Sequence, residues 1–254
     1  MGLKIATWNV NSVNVRLSRL ENLLQRESPD ILCLQELKCE AEKFPFEAIK
    51  NAGYHAEMVG QKTYNGVAIL TKKPPKDVIT TLDGLGDQSR FIAAEVEGVR
   101  AVCLYVPNGF AVGDEKYEYK LDWLKHLQAG LKKSGWLKEK CVVTGDFNIA
   151  PTDDDVHDPK KWKDKILCSK PERKAFQDLE ALGLVDTFRL HHKEAGHFSW
   201  WDYRKGFMPN QGLRIDFVMA TENLAKQCVY SRIDTAERRG EQPSDHAPVI
   251  SEFQ

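Results

Sequence analysis

Four apolar runs in this 254-residue chain end, or nearly end, on carboxylate or amide residues. They are Trp8-Asn9-Val10-Asn11, Leu34-Gln35-Glu36, Gly145-Asp146-Phe147-Asn148 and Pro243-Ser244-Asp245-His246. A fifth acid, Asp216, lies inside Leu213-Arg214-Ile215-Asp216-Phe217-Val218. Carboxylates and amides without a cysteine framework suit a hard cation such as Mg2+ or Mn2+. A hard cation beside a His/Asp pair with spare amides fits phosphate-ester hydrolysis. The metal polarises the phosphoryl oxygen, a base activates water and amides hold the anionic oxygens. Asp216 needs a partner, because an unpaired carboxylate among Ile215, Phe217 and Val218 is costly to bury. Arg214 would make it a plain salt bridge; His246 would make it half of an orienting dyad. Read singly, Glu36 is a surface or capping acid, and Asp146 with Asn148 is an Asx turn.

These residues need rigid elements to hold them at an open rim, which strand ends supply. Strand-like runs cover 3–10, 31–36, 54–59, 67–71, 78–82, 91–96, 100–106, 141–143, 213–220, 228–233 and 249–253. Helical spacing covers 15–26, weakly 46–52, then 115–131 with Leu121, Leu124, Leu127 and Leu131 inward, and 171–182. The pattern predicts an α/β chain in which two sheets pack together with helices outside, as one domain over residues 1–254. Hydrophobic residues make up 42% and charged residues 29%, ordinary for a globular chain. No apolar run approaches the roughly 18 residues of a membrane span. The start, Met1 to Ala6, has no secretory apolar region and no myristoylation signal, which predicts a cytoplasmic location. The P-loop, GxGxxG, GxSxG and HExxH motifs are absent, which argues against nucleotide, dinucleotide, serine-hydrolase and zincin chemistry.

Net charge is −1, so any nucleic-acid signal must be local. One candidate is 160–174, where seven basic residues (Lys160, Lys161, Lys163, Lys165, Lys170, Arg173, Lys174) face two acids, Asp164 and Glu172. It reads as a solvated face or as a phosphate-backbone contact. Another is Phe198-Ser199-Trp200-Trp201-Asp202-Tyr203-Arg204-Lys205, which reads as a core edge or as a surface that stacks on bases and sugars. His55, His126 and His157 read as structural. The spacing of His191, His192 and His197 does not match a zinc ligand set. Six scattered cysteines, three of them in apolar runs, predict free thiols.

Taken together, these motifs resemble the exonuclease III / apurinic-apyrimidinic (AP) endonuclease family, within the larger endonuclease–exonuclease–phosphatase fold. The matching stretches are Ile5 to Asn11, Leu34 to Lys38, Gly60-Gln61-Lys62 with Gly66-Val67-Ala68, Tyr105 to Asn108, and Gly145 to Pro151. They continue with Phe198 to Arg204, Gly212 to Asp216 and Ser244 to Pro248. The resemblance implies a four-layer α/β sandwich of two packed mixed β-sheets flanked by helices. It implies a Mg2+-dependent DNA repair phosphodiesterase of base excision repair, with Mn2+ able to substitute. The activity implied is cleavage 5′ to abasic sites, with 3′-phosphodiesterase, 3′-phosphatase and 3′→5′ exonuclease activity on double-stranded DNA. Glu36 then matches the principal metal ligand, with Asn9, Asn11 and Asp245 nearby. Asp216 matches the carboxylate that orients His246, and His246 contacts the scissile phosphate. Asp146 matches the group that activates water or protonates the leaving oxygen, and Tyr105 and Asn148 match phosphate-positioning groups. Trp200, Leu213 and Ile215 match a pocket for a base-less sugar, with Asn108 and Arg90 also on the substrate side. Asn11 stands where some relatives carry aspartate, and Gly109-Phe110-Ala111 lies where relatives vary.

The implied partner is double-stranded DNA with abasic sites or blocked 3′ ends. The protein would be a cytoplasmic monomer, nucleoid-associated in a bacterium, with no membrane contact. Two other functions use the same residues: a sister phosphoesterase of lipid or inositol phosphates, and a catalytically inactive DNA-binding scaffold. The segment Trp200 to Tyr203 with Gly212 to Ile215 favours the DNA group over the former.

Overall fold

The computed structural model describes residues 2–204 and 207–254. Its strands are β1 (Leu3–Asn9), β2 (Ile31–Gln35), β3 (His55–Val59), β4 (Val67–Thr71), β5 (Lys76–Ile79), β6 (Phe91–Val96) and β7 (Val99–Tyr105). They continue as β8 (Cys141–Asp146), β9 (Leu184–Asp186), β10 (Trp200–Trp201), β11 (Gly212–Leu213), β12 (Asp216–Thr221), β13 (Cys228–Ile233) and β14 (Val249–Phe253). The helices are α1 (Leu17–Glu27), α2 (Phe46–Asn51), α3 (Glu115–Ser134), α4 (Pro159–Trp162), α5 (Lys170–Glu180), α6 (Thr187–His191) and α7 (Glu222–Ala225).

Two six-stranded sheets form, in the orders β13-β14-β1-β2-β4-β3 and β5-β6-β7-β8-β12-β9. Each contains one parallel pair, β1 with β2 and β7 with β8, among antiparallel neighbours. A parallel pair needs a crossover, and α1 and α3 supply the two. The central strands are buried on both faces, so their sequences are continuously apolar. In β2, alternate residues serve different cores. Ile31 and Cys33 point to the layer between the sheets, whereas Leu32 and Leu34 meet Leu20, Leu23 and Leu24 of α1. On the far side α3 and α5 cover the second sheet through Leu124, Leu127, Phe176 and Leu179. The layers are therefore helix, sheet, sheet, helix, as the motifs implied.

The helix ends are chemically marked. Asp114 caps α3 by accepting from Lys116 N, and Gly135 ends that helix at a φ of 78°. Ser169 and Glu172 form a capping box on α5, with Pro171 in its first turn. All six cysteines are free and five are buried.

Three sequence expectations are corrected. The run 213–220 is not one strand. It breaks at Arg214-Ile215 because the buried Arg214 turns to Asp155 (2.7 Å) and Asp186 (2.6 Å). On α3 the residue buried beside Leu124 and Leu127 is Lys120, while Leu121 is only half-buried. The strand expected over 78–82 is displaced to Lys76–Ile79. Other boundaries shift by a few residues at most.

The Arg214 network ties the segment before β12 to the loop after β8. Burial alone would disfavour the Asp155 charge, but the guanidiniums of Arg214 and Arg189 outweigh it and hold the carboxyl below its usual range. That stabilisation is present above the unfolded-state value of about 3.9 and is lost as pH falls through the lower native value. Asp155→Ala is therefore expected to cost about 3–5 kcal/mol in urea unfolding at pH 7. The gap from wild type should narrow below about pH 4. An equal gap at both pH values would show that the charge is not what matters.

Candidate active site

The carboxyl ends of the two parallel pairs meet at one rim. Asn9 ends β1 beside Gln35, and Tyr105 ends β7 beside Asp146. Asp216 opens β12 directly across from Asp146. His246 lies just ahead of β14, and its loop is pinned from three sides. Trp8 donates to the His246 carbonyl (3.1 Å), Ser244 Oγ donates to the Asn9 carbonyl (2.6 Å), and Ala247 N donates to the Ser199 carbonyl (2.7 Å).

His246 Nδ1 donates to Asp216 Oδ2 at 2.9 Å, and its Nε2 lies 3.8 Å from Asp146 Oδ2. The Asp216 partner is thus His246, and Arg214 is engaged elsewhere. Ser199 Oγ donates to Asp216 Oδ2 (2.6 Å) while accepting from the backbone of Ile215 and Asp216. Asn9 Nδ2 bridges two carboxylates, Glu36 Oε1 and Asp146 Oδ2, each at 2.9 Å. Asn148 N donates to Asp146 Oδ1 (2.9 Å), so the Asx turn exists and forms part of the site. Asn108 donates to Asn148 Oδ1 (3.1 Å). Asn11 Nδ2 and Trp200 Nε1 each donate to Asp245, at 2.9 and 3.0 Å.

The electrostatics follow from this packing. Burial opposes a charged His246, yet Asp216 and Asp146 outweigh it and raise the imidazolium to about 10. Burial also pushes the Asp146 carboxyl up to about 7, against the pull of His246 and with a further push from Asp216. Desolvation, then the charges of Glu36 and Asp146, hold the Tyr105 phenol well above its usual value, with Arg90 acting the other way. The Arg90 guanidinium lies over the Tyr105 ring, 4.7 Å from its centre.

One group of possible metal donors here joins Glu36, Asp146 and His246, with one ligand atom from each and all within 4.8 Å of one another. Of the two acids among the four expected ligands, Glu36 belongs to this group and Asp245 does not. Asn9 bridges its two carboxylates, while Asn11 and Asp245 form an adjoining pair. The Lys38 ammonium lies 3.0 Å from Glu36 Oε2 and also donates to Asn11 Oδ1. These two oxygens already converge on a positive charge. The oxygen-rich donors and that convergence fit a small hard cation.

Of the residues expected to bind substrate, Trp200 is partly exposed, whereas Leu213 and Ile215 are buried and pack with it and with Ala150, Val156 and Leu167. Within the aromatic and basic stretch, Phe198 and Trp201 are core, and Tyr203 is exposed. Lys205 lies outside the described residues. In the basic stretch, Arg173 pairs with Asp153 and Lys174 with Asp178, while Lys160, Lys161, Lys163, Lys165 and Lys170 are exposed. Lys161 and Trp162 line a hollow of about 270 Å³ with Trp200 and Arg204.

Several contributors had no role in the sequence reading. Lys38 is two residues from Glu36, and Ser199 is a hydroxyl inside an aromatic run. Lys120, fully buried, donates to the carbonyls of Asn108 (3.2 Å) and Asn148 (2.6 Å) and pairs with Glu172 (2.5 Å). A lysine at helical spacing from Leu124, Leu127 and Leu131 was a readable signal. Arg16, which donates to the Tyr203 hydroxyl at 2.8 Å, carried none.

The Endonuclease/Exonuclease/phosphatase family pattern matches residues 6–246. Exodeoxyribonuclease III of Haemophilus influenzae is 38% identical over 266 residues, covering 99% of this chain and all of that one. A 3′ phosphatase from Neisseria, solved with a product DNA hairpin, superposes with a TM-score of 0.97 at 46% identity, covering 99% of each chain. An AP endonuclease from Archaeoglobus fulgidus superposes with a TM-score of 0.96 at 40% identity, again covering 99% of each. With fold, rim residues and relatives in agreement along nearly its whole length, the chain belongs to the Endonuclease/Exonuclease/phosphatase family.

Proposed function

We propose that this protein is a Mg2+-dependent DNA repair nuclease. It cleaves the phosphodiester 5′ to abasic sites and also works on blocked 3′ ends and 3′ termini of double-stranded DNA. The carrying observation is the convergence of Glu36, Asn9, Asp146, His246 and Asp216 at one rim, next to Trp200, which shares a hollow with the exposed Lys161. The names of its relatives, an exodeoxyribonuclease III, a 3′ phosphatase and an AP endonuclease, support the same substrate.

Glu36 would hold Mg2+, with Asn9, Asn11 and Asp245 around it and Mn2+ as a substitute. The bound ion would supply charge to polarise a phosphoryl oxygen. His246, kept cationic by Asp216, presents its Nε2–H to a non-bridging phosphate oxygen. Tyr105, kept neutral, presents a hydroxyl to the phosphate, and Asn148 an amide N–H. Asp146 holds or gives a proton near neutral pH. It serves either the water whose oxygen bonds to phosphorus or the 3′ oxygen that leaves. Water adds to phosphorus, the P–O3′ bond breaks, and a 5′-phosphate and a 3′-hydroxyl result. Trp200, over buried Leu213 and Ile215, walls a space for a sugar without a base, and flipping costs less where no base is paired. Asn108 and Arg90 border the neighbouring cleft with Phe110. This role calls for a cytoplasmic monomer with access to the nucleoid. No helix among the described residues is long and apolar enough to cross a membrane.

The first test is a labelled duplex carrying a tetrahydrofuran abasic analogue, beside an undamaged duplex, each with Mg2+ or EDTA. A Mg2+-dependent nick immediately 5′ to the analogue, faster than trimming of the undamaged 3′ end, is expected. Rapid trimming with little nicking would reassign the main activity to 3′ ends. Asp146→Asn and His246→Ala are each expected to lower turnover by about 10²–10⁴-fold, with circular dichroism unchanged. Full activity in either removes that residue from the chemistry. Lys160→Gln with Lys161→Gln should flatten the slope of log affinity against log salt by about 1–2. An unchanged slope returns those lysines to a merely solvated face.

A further inference from the structure

The histidines set aside on spacing meet an acid once the chain is folded. Just after α6, His192, Glu194 and His197 bring three ligand atoms within 4.8 Å of one another. His192 Nε2 lies 2.8 Å from the Ser231 carbonyl, which only accepts, so this nitrogen carries the proton. Nδ1 of the neutral ring then offers a lone pair. It faces Glu194 Oε1 at 3.6 Å, too far for a hydrogen bond. His197 Nε2 reaches the same oxygen at 2.8 Å. Donors at about 2.1 Å around a tetrahedral ion stand about 3.4 Å apart, so these separations bracket what a zinc-like ion needs. The outer shell is present too. A ligating histidine typically gives its other N–H to a backbone carbonyl, as His192 does to Ser231, and its ring is stacked on Phe188 at 4.4 Å.

This cluster is separate from the rim. Neighbouring residues of a strand point to opposite faces. Trp200 reaches Asp245 at the rim, whereas Trp201 lines a cavity of about 490 Å³ together with Phe188, His192, His197 and Phe198. We propose that His192, Glu194 and His197 form a second metal site, selective for a divalent transition ion of the zinc class. Two imidazoles and one carboxylate suit Zn2+ over Mg2+, whose ligands are oxygens. The bound ion ties the 192–197 loop to β13 through Ser231. It also stiffens the approach to Ser199, which holds Asp216. The inference does not depend on the nuclease assignment.

The test titrates metal-depleted full-length protein with Zn2+ and with Co2+, following visible absorption and thermal unfolding. It is repeated in Glu36→Gln, to remove binding at the rim, and in Glu194→Gln and His197→Gln. Expected are one Zn2+ bound in Glu36→Gln with a raised Tm, and at least about tenfold weaker binding in Glu194→Gln and His197→Gln. Both exposed-loop variants should keep wild-type Mg2+-dependent hydrolysis before zinc is added. If Glu194→Gln and His197→Gln bind Zn2+ as wild type does, the proposal fails. It also fails if Glu36→Gln abolishes all binding. The three residues would then be only an ion-pair cluster.

Discussion

Four carboxyl groups, from Glu36, Asp146, Asp216 and Asp245, are brought together where the two sheets end. Like groups in a desolvated space repel or protonate unless each has its own partners. Every one of them has. Asp216 is held by His246 and Ser199, Asp146 by Asn9 and Asn148, Asp245 by Asn11 and Trp200, and Glu36 by Asn9 and Lys38. This constraint explains the residue types around the acids. An amide at position 9 gives one N–H to each of two carboxylates, where an aspartate would add a fifth negative group. The amides hold the site together as much as they prepare it for a ligand.

Topology decides where this cluster can exist. Parallel strands place their carboxyl ends together, and the register sets Asn9 beside Gln35 and Tyr105 beside Asp146. Gly145 is needed for the second pair. At its φ of 145° a Cβ would lie 1.9 Å from the Leu104 carbonyl oxygen, so no other residue lets β8 run that close and still deliver Asp146. Beyond the strand ends the backbone is strained. Asn11, Glu36 and Asn148 all have left-handed φ, between 45° and 52°. Asparagine tolerates this and glutamate does so poorly. The cost at Glu36 is sustained by the packing around it, as is common at functional sites.

Much of this was legible in the sequence, for a physical reason. A polar residue at the end of an apolar run is visible as a break in pattern, and Asn9, Glu36, Asp146 and Asp245 all sit at such breaks. Two packed sheets with helices outside followed from the short strand runs and the 3–4 spaced helices, and the four layers from the family resemblance. What stayed hidden depends on partners distant in sequence. Whether Asp216 pairs with Arg214 or His246 is decided by Asp155 and Asp186, which claim the arginine from 59 and 28 residues away. The strand break at Arg214 has the same origin. Ser199 looks like filler between aromatics until the fold sets it against Asp216. His192 and His197 needed Glu194, an acid that no histidine-only spacing rule includes.

The two ionisable groups that face each other at the centre of the rim are driven to different ends. His246 and Asp146 share the same burial, yet the histidine is raised to about 10 and the acid to about 7. The difference lies in the neighbours. His246 has two carboxylates against one ring, so its charge is favoured despite desolvation. Asp146 has one cation and another carboxylate, Asp216, so desolvation prevails. Environment rather than residue type separates such a pair. Asp216 and Asp146 together hold His246 toward its charged form. Burial and Asp216 push Asp146 the other way, toward its neutral form. Asp216 acts on both, favouring the charge on His246 and opposing it on Asp146, so one buried carboxylate separates the two groups.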